Sequence, residues 1–393
     1  MECSLDLCID RLHSDSAKWR VYDPDVLPLW VADMDFLSAE PVLRALHERI
    51  DHGVFGYGLC PDELIDVIRA RLEGLYDWQV AADEIVFCPG VVTGFNVACR
   101  LRSEPGDGVL VQPPVYYPFL SAPANAGRVL QQAEIKRGSD DPNARYELEL
   151  DAFEAAITDG TRAGVTTRAF ILCNPHNPIG RVFERDELLA LAEVCLRHDV
   201  LICSDEIHCD LVYSGHAHIP IAALDPEIAR HTVTLMAPSK TYNIAGLKCS
   251  FAVIQDEQLR QEFCAARGGL VPGVNILGYT AALAAYRDGQ PWLDEVLAYL
   301  EANRDYVKAF VDERLPGVEM HVPEGTYLAW LDCRQAGIEG EPAAFFLERA
   351  RVALNNGAAF GPGGEGYVRL NFACPRATLI EALERMRNAL ENR

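Results

Sequence analysis

Positive charge is scarce in this chain: 35 lysines and arginines stand against 58 aspartates and glutamates, a formal net charge of -23 over 393 residues. A nucleic-acid partner or an anionic lipid surface needs clustered Lys and Arg, so this balance argues against both and leaves a small molecule as the default partner. Long apolar runs are missing too, and no stretch reaches the length that spans a bilayer. The segment Met1 to Asp10 has no basic start and no long apolar core, so neither export nor anchoring is expected. Cys-x-x-Cys pairs are absent. The 13 cysteines are odd in number and scattered, which indicates neither a disulfide framework nor a zinc ribbon and suits a reducing cytoplasm.

About half of the residues are apolar (49%), and a chain of this length is expected to bury a large core in two or three domains. Residues 1–40 read as an arm punctuated by Pro24 and Pro28, with one apolar segment from Leu27 to Phe36. Helical spacing follows over Pro41 to His52 and Pro61 to Leu75, separated by the glycine loop Gly53-Val-Phe-Gly-Tyr-Gly58. From Glu84 onward short β-branched runs alternate with helical patterns, the signature of a mainly parallel sheet flanked by helices. The predicted strands are Glu84 to Cys88, Val109 to Gln112, Arg128 to Glu134, Arg168 to Cys173, Val200 to Ser204, Thr232 to Met236 and Lys248 to Ile254. Helices are predicted over Asp256 to Gly268, Val274 to Arg287 and Trp292 to Leu315. A smaller α+β part follows, with strands at Val318 to Val322, Tyr327 to Asp332 and Tyr367 to Phe372 and a last helix from Arg376.

Ligands of such sheets sit at the carboxyl ends of the strands, and polar residues gather there in this sequence. Lys240 lies between the apolar run Thr232 to Met236 and a small-residue turn, where apolar surroundings lower an amine pKa and make lysine a usable nucleophile and base. Pro89-Gly-Val-Val-Thr-Gly94 is a strand-to-helix turn whose free N–H groups suit a phosphate. Tyr116 or Tyr117 is aimed at a strand end by the flanking prolines, and Asn177 follows in a rigid turn of two Asn-Pro dipeptides. Asp205 ends a strand in Asp205-Glu-Ile-His-Cys-Asp210, close to His216 and His218. That cluster lacks a recognised ligand spacing, so the metal reading yields to an aspartate paired with a pyridinium nitrogen. Gly361-Pro-Gly-Gly-Glu-Gly366 matches Gly-x-Gly-x-x-Gly but precedes a strand, which rules against dinucleotide binding. Arg369, among Tyr367, Val368, Leu370 and Phe372, suits a carboxylate clamp.

Taken in order and spacing, Tyr116, Asn177, Asp205, His208, Lys240, Lys248 and Arg369 resemble the fold-type I pyridoxal-phosphate enzymes of the class I/II aminotransferase superfamily. Lys18-Trp19, Leu27 to Phe36, Gly53 to Tyr57, Ser204 to His208, Thr241 to Lys248 and Tyr367 to Pro375 resemble its MalY/PatB branch, the cystathionine β-lyase-like carbon–sulfur lyases. The resemblance implies the PLP-dependent transferase fold (type I), with an arm over residues 1–45 packing on the small domain, a large cofactor domain over 46–287 and a small domain over 288–393. It implies pyridoxal 5'-phosphate joined to Lys240, with Asp205 on the ring nitrogen, Asn177 at the ring 3-oxygen and His208 where aminotransferases usually carry a tyrosine. The phosphate would rest on Gly90, Val91 and Val92, with Ser239 and Lys248 nearby and Tyr57 reaching in from the neighbouring subunit of a homodimer. Tyr116 would stack on the ring. Arg369 would clamp the carboxylate of a sulfur-containing amino acid, with Trp30 and Tyr57 also at the substrate.

Three positions depart from the pattern. Ala237 replaces a frequent hydroxyl, Lys248 a frequent arginine, and Ile179 the usual threonine. The implied activity is β-elimination of a thiol from cystathionine or a related cysteine conjugate, giving pyruvate and ammonia. Transamination shares every step to the carbanion and is the competing outcome. A regulatory or interaction role on the same scaffold is a third reading, which loss of Lys240 would leave intact.

Overall fold

Seven segments rich in aliphatic and β-branched residues pair into one sheet: β1 (Ile85–Cys88), β2 (Gly108–Val111), β3 (Val129–Gln132), β4 (Thr167–Cys173), β5 (Leu201–Asp205), β6 (Thr232–Met236) and β7 (Ser250–Val253). The computed structural model describes residues 5–139, 141 and 143–393. Across the sheet the order is β1-β7-β6-β5-β4-β2-β3. The run from β6 to β3 is parallel, and β7 alone is reversed, antiparallel to both β1 and β6. β5 and β6 are buried at every residue, because helices cover both faces and leave no polar side to alternate. Phe95 and Phe119 pack on one face, Phe153 and Phe183 on the other.

The principal helices are α1 (Glu40–Asp51), α2 (Asp62–Tyr76), α3 (Val91–Ala98), α4 (Arg185–Arg197), α5 (Glu257–Arg267), α6 (Ile276–Asp288), α7 (Gln290–Arg314) and α8 (Arg376–Glu391). A second, antiparallel sheet of β8 (Glu319–Met320), β9 (Leu328–Asp332), β10 (Asn355–Asn356) and β11 (Tyr367–Asn371) has the order β8-β9-β11-β10. Several predicted strands are shorter than their apolar patterns, Arg128 to Glu134 contracting to the four residues of β3. Val318 to Val322 contracts to two residues, and Lys248 stands outside β7 in the left-handed region, with φ 55°. The glycines before β11 serve a tight turn: a Cβ on Gly364 would lie 2.1 Å from the Gly357 carbonyl oxygen.

The amino-terminal segment crosses the molecule. Leu27–Pro28 pairs in parallel with Val352–Ala353, and Leu29, Met34 and Phe36 share a core with Leu328, Leu370 and Phe372. A buried ion cluster fixes its turn. Lys18 Nζ donates to Asp35 Oδ2 at 2.7 Å, Trp19 Nε1 to Asp35 Oδ1 at 2.9 Å, and Arg11 binds both Asp33 and Asp35. Lys18 is fully buried, so losing Asp35 removes its shortest counter-charge and leaves only the longer contact to Asp33 at 3.4 Å. Asp35→Ala is expected to destabilise the protein by about 3 kcal/mol in urea unfolding. A loss below about 0.5 kcal/mol, the usual range for an exposed pair, would mean the cluster is solvated.

Candidate active site

The carboxyl ends of four strands converge on one cleft. β1 runs into Gly90 and α3, β4 into the turn holding Asn177, β5 ends at Asp205, and β6 leads into the short helix Pro238–Thr241 that carries Lys240. Arg369 enters from β11, an interior strand of the second sheet, and Trp30 from the amino-terminal segment. Together they line a cavity of about 420 Å³. Every predicted site residue borders it except Tyr57, which stands fully exposed in the loop between α1 and α2. Tyr116 and Tyr117 both line the cavity, so the prolines aim the pair rather than one of them.

Lys240 Nζ donates to the Ala32 carbonyl oxygen at 2.6 Å, and the Tyr327 hydroxyl donates to the same oxygen at 2.9 Å. Burial, reinforced by the Arg369 cation, pulls the Lys240 amine down to about 8, so a neutral fraction exists near physiological pH. Burial pushes the Asp205 carboxyl up to about 7, against the pull of the Ile207 N–H, which it accepts at 3.1 Å, and of Lys240. A carboxylate in that position gains from any cation placed beside it. His208 is held well below the usual imidazole range by burial and by the Lys240 and Arg369 charges, so it is neutral. Its Nδ1 is buried with no partner among the described residues.

Arg369 is locked before any ligand arrives. Nη1 donates to Asn177 Oδ1 at 3.0 Å, and Nη2 to the Trp30 carbonyl at 2.8 Å and to Asn355 Oδ1 at 2.5 Å. Because Asn177 spends its oxygen on Arg369, its amide Nδ2 is the group left to donate into the cavity. Asn355 escaped the sequence reading. It sits opposite Arg369 across the β10–β11 register, a pairing of strands that no local pattern in Asn355-Asn-Gly357 reveals. The carbonyls of Trp30 and Ala32 were equally hidden, since main-chain acceptors carry no residue signature.

At the other end of the cavity lies an anion cradle. α3 starts at Val91, so the leading N–H groups of Val91, Val92 and Thr93 have no acceptor within the helix, and the helix dipole adds positive potential there. A Cβ on Gly90 would meet nothing within 4 Å, so the backbone there is open. Lys248, two residues before β7, also borders the cavity. Ser239 also borders the cavity. His218 belongs elsewhere: its Nε2 pairs with buried Glu206 Oε2 at 2.9 Å, so the histidines and acids of Asp205 to His218 do not converge on a point.

A lysine, a buried aspartate, an asparagine and an arginine around an anion cradle define a class of protein, and comparison with known families agrees with it. The aminotransferase class I and II family model matches residues 24–386, and the chain belongs to that family. Cystathionine β-lyase PatB of Bacillus subtilis is 42% identical over 97% of this chain and 98% of its own. The crystal structure of OvoB is 45% identical with a TM-score of 0.91, covering 98% of each chain. Cystalysin from Treponema denticola, whose crystal structure contains a pyridoxal 5'-phosphate cofactor, is 32% identical with a TM-score of 0.93 over the full length of both.

Proposed function

We propose that this protein is a pyridoxal 5'-phosphate-dependent carbon–sulfur β-lyase that cleaves cystathionine or related cysteine S-conjugates to a thiol, pyruvate and ammonia. The observation that carries the reading is the convergence of Lys240, Asp205, Asn177 and Arg369 on one cavity with an anion cradle at its far end. The residues fit the cofactor group by group. Asp205 forms no ion pair among the described residues, and a protonated ring nitrogen would supply one. His208 Nδ1 and Asn177 Nδ2 are free to meet the ring oxygen, and Gly90 to Val92 with Lys248 suit the phosphate. When bound, the cofactor supplies an electron sink for negative charge at the substrate α carbon.

The chain's own residues do the rest. Arg369 binds the α-carboxylate in a fixed orientation, because Asn177, Asn355 and the Trp30 carbonyl hold its guanidinium. Lys240, with its amine poised near neutrality, takes the α proton. Asp205 holds a proton on the ring nitrogen. The sulfur then leaves the β carbon as a thiolate, and the three-carbon remainder hydrolyses to pyruvate and ammonia. The preference for elimination over transamination rests on the likeness to PatB.

The loop between α1 and α2 supports a homodimer: Val54, Phe55, Tyr57 and Leu59 are all exposed there, and in this reading Tyr57 reaches the site of a second copy. Twelve free thiols among the described residues, most of them buried, suit a reducing cytosol. No described helix is long and apolar enough to cross a membrane.

The test is a product assay with L-cystathionine and with S-substituted cysteines, run with and without a 2-oxo acid. Pyruvate and thiol in equal amounts without the oxo acid are the expected result. Product that forms only with the oxo acid, accompanied by a new amino acid, would make the protein an aminotransferase.

A further inference from the structure

Charge is distributed in the cavity in a way that bears on which thiol leaves. Among the described residues that line it, four side chains carry formal charge: Asp205, Lys240, Lys248 and Arg369. Each has a partner in the reading above, on which this inference rests: the ring nitrogen, the cofactor link, the phosphate and the substrate α-carboxylate. Lys248 enters the cavity from the turn before β7, whereas Arg369 enters from β11 of the second sheet. Asp33, whose charge acts on Lys240 and which does not line the cavity, is bound to Arg11 at 2.9 Å.

The cavity wall on the Arg369 side carries aromatic side chains. Trp30, Tyr116 and Tyr117 border the cavity, and behind this wall the Arg369 guanidinium lies over the fully buried Phe360 ring at 5.1 Å, with Tyr117 edge-on to the same ring at 6.2 Å. Trp30 contributes its carbonyl to Arg369 and borders the cavity. The loop proposed to enter from a second copy, Gly53-Val-Phe-Gly-Tyr-Gly-Leu-Cys-Pro61, adds aromatic and apolar groups and no charge. A substituent on sulfur therefore meets aromatic and apolar side chains and finds, among the described lining residues, neither a cation nor an anion of its own. The far end of cystathionine carries both an ammonium and a carboxylate, and desolvating them without partners costs binding.

We propose that this site selects cysteine S-conjugates whose sulfur substituent is uncharged and aromatic or aliphatic, and discriminates against the zwitterionic substituent of cystathionine. The test compares kcat/KM of the holoenzyme, from pyruvate release, for S-benzyl-L-cysteine, S-butyl-L-cysteine and L-cystathionine. S-butyl-L-cysteine separates charge from bulk, since it is aliphatic and close to cystathionine in reach. Both uncharged conjugates are expected to exceed cystathionine by at least about 10-fold, the factor that one uncompensated 1.4 kcal/mol imposes. Cystathionine equal to or better than the uncharged pair would overturn the inference and leave the lyase reading standing. S-butyl-L-cysteine falling to the level of cystathionine would overturn it as well, because size and not charge would then decide. No pyruvate from any of the three would overturn the lyase reading and this inference with it.

Discussion

Changing Lys240 to alanine is expected to lower β-elimination by about 10⁴-fold or more, at the upper end of what a positioned general base contributes. The position explains the size. Lys240 is delivered by the short helix after β6, beside both Asp205 and Arg369, and its Nζ is tethered to the Ala32 carbonyl at 2.6 Å. Among the described residues of the cavity, His208 and Arg369 are unsuited to take over. His208 is neutral, but burial and two neighbouring cations make it a poor proton acceptor, and Arg369 stays charged near neutral pH. Added methylamine is expected to restore part of the lost rate, because a small amine fits the space the side chain vacates. Lys240→Arg should recover little, since its guanidinium stays protonated. Full turnover in the alanine variant would sink the site assignment as a whole. An inactive variant that also unfolds at a lower temperature and resists rescue would point to a structural role instead.

Most of the fold was legible because the sheet is buried on both faces. Apolar runs such as Val200 to Ser204 and Thr232 to Met236 can hardly be read otherwise, and β5 and β6 fall within a residue of them. The reversed β7 was not legible: Ser250 to Val253 is as apolar as its parallel neighbours, and strand direction is set by the connection, not the composition. The same division runs through the cavity. Asp205, Lys240 and Asn177 stand next to strand ends or rigid turns, where local sequence limits where a side chain can go. Asn355 and the carbonyls of Trp30 and Ala32 reach the cavity only through long-range pairing. The buried Lys18–Asp35 pair illustrates a further limit: a lysine in a polar stretch reads as solvated, and only the folded arm shows it enclosed.

Asp205→Asn is expected to lower kcat/KM by about 10³-fold, within the range for a group that stabilises developing charge in a closed site. The amide matches the carboxylate in shape and keeps an oxygen for the Ile207 N–H, so the change isolates charge. Without a negative neighbour the ring nitrogen loses its proton, and with it much of the pull on the α carbon. Retained turnover would show that the nitrogen needs no carboxylate. A second readout is independent of turnover. In the protein stripped of cofactor, burial raises the Asp205 carboxyl from 3.8 to about 7. A raised acid favours the folded state below its ordinary pKa, and that advantage fades as pH climbs through the folded value. Stability of the cofactor-free protein should therefore fall between about pH 4 and pH 7, by about 4 kcal/mol at most from this group, and level off above. The asparagine variant should lack that component of the slope. Adding the cofactor should remove it too, because a cation beside Asp205 makes ionisation favourable and returns the carboxyl toward its ordinary range. Identical pH profiles for wild type and variant in the cofactor-free state would mean that water reaches Asp205, and the electrostatic account of its role would fail.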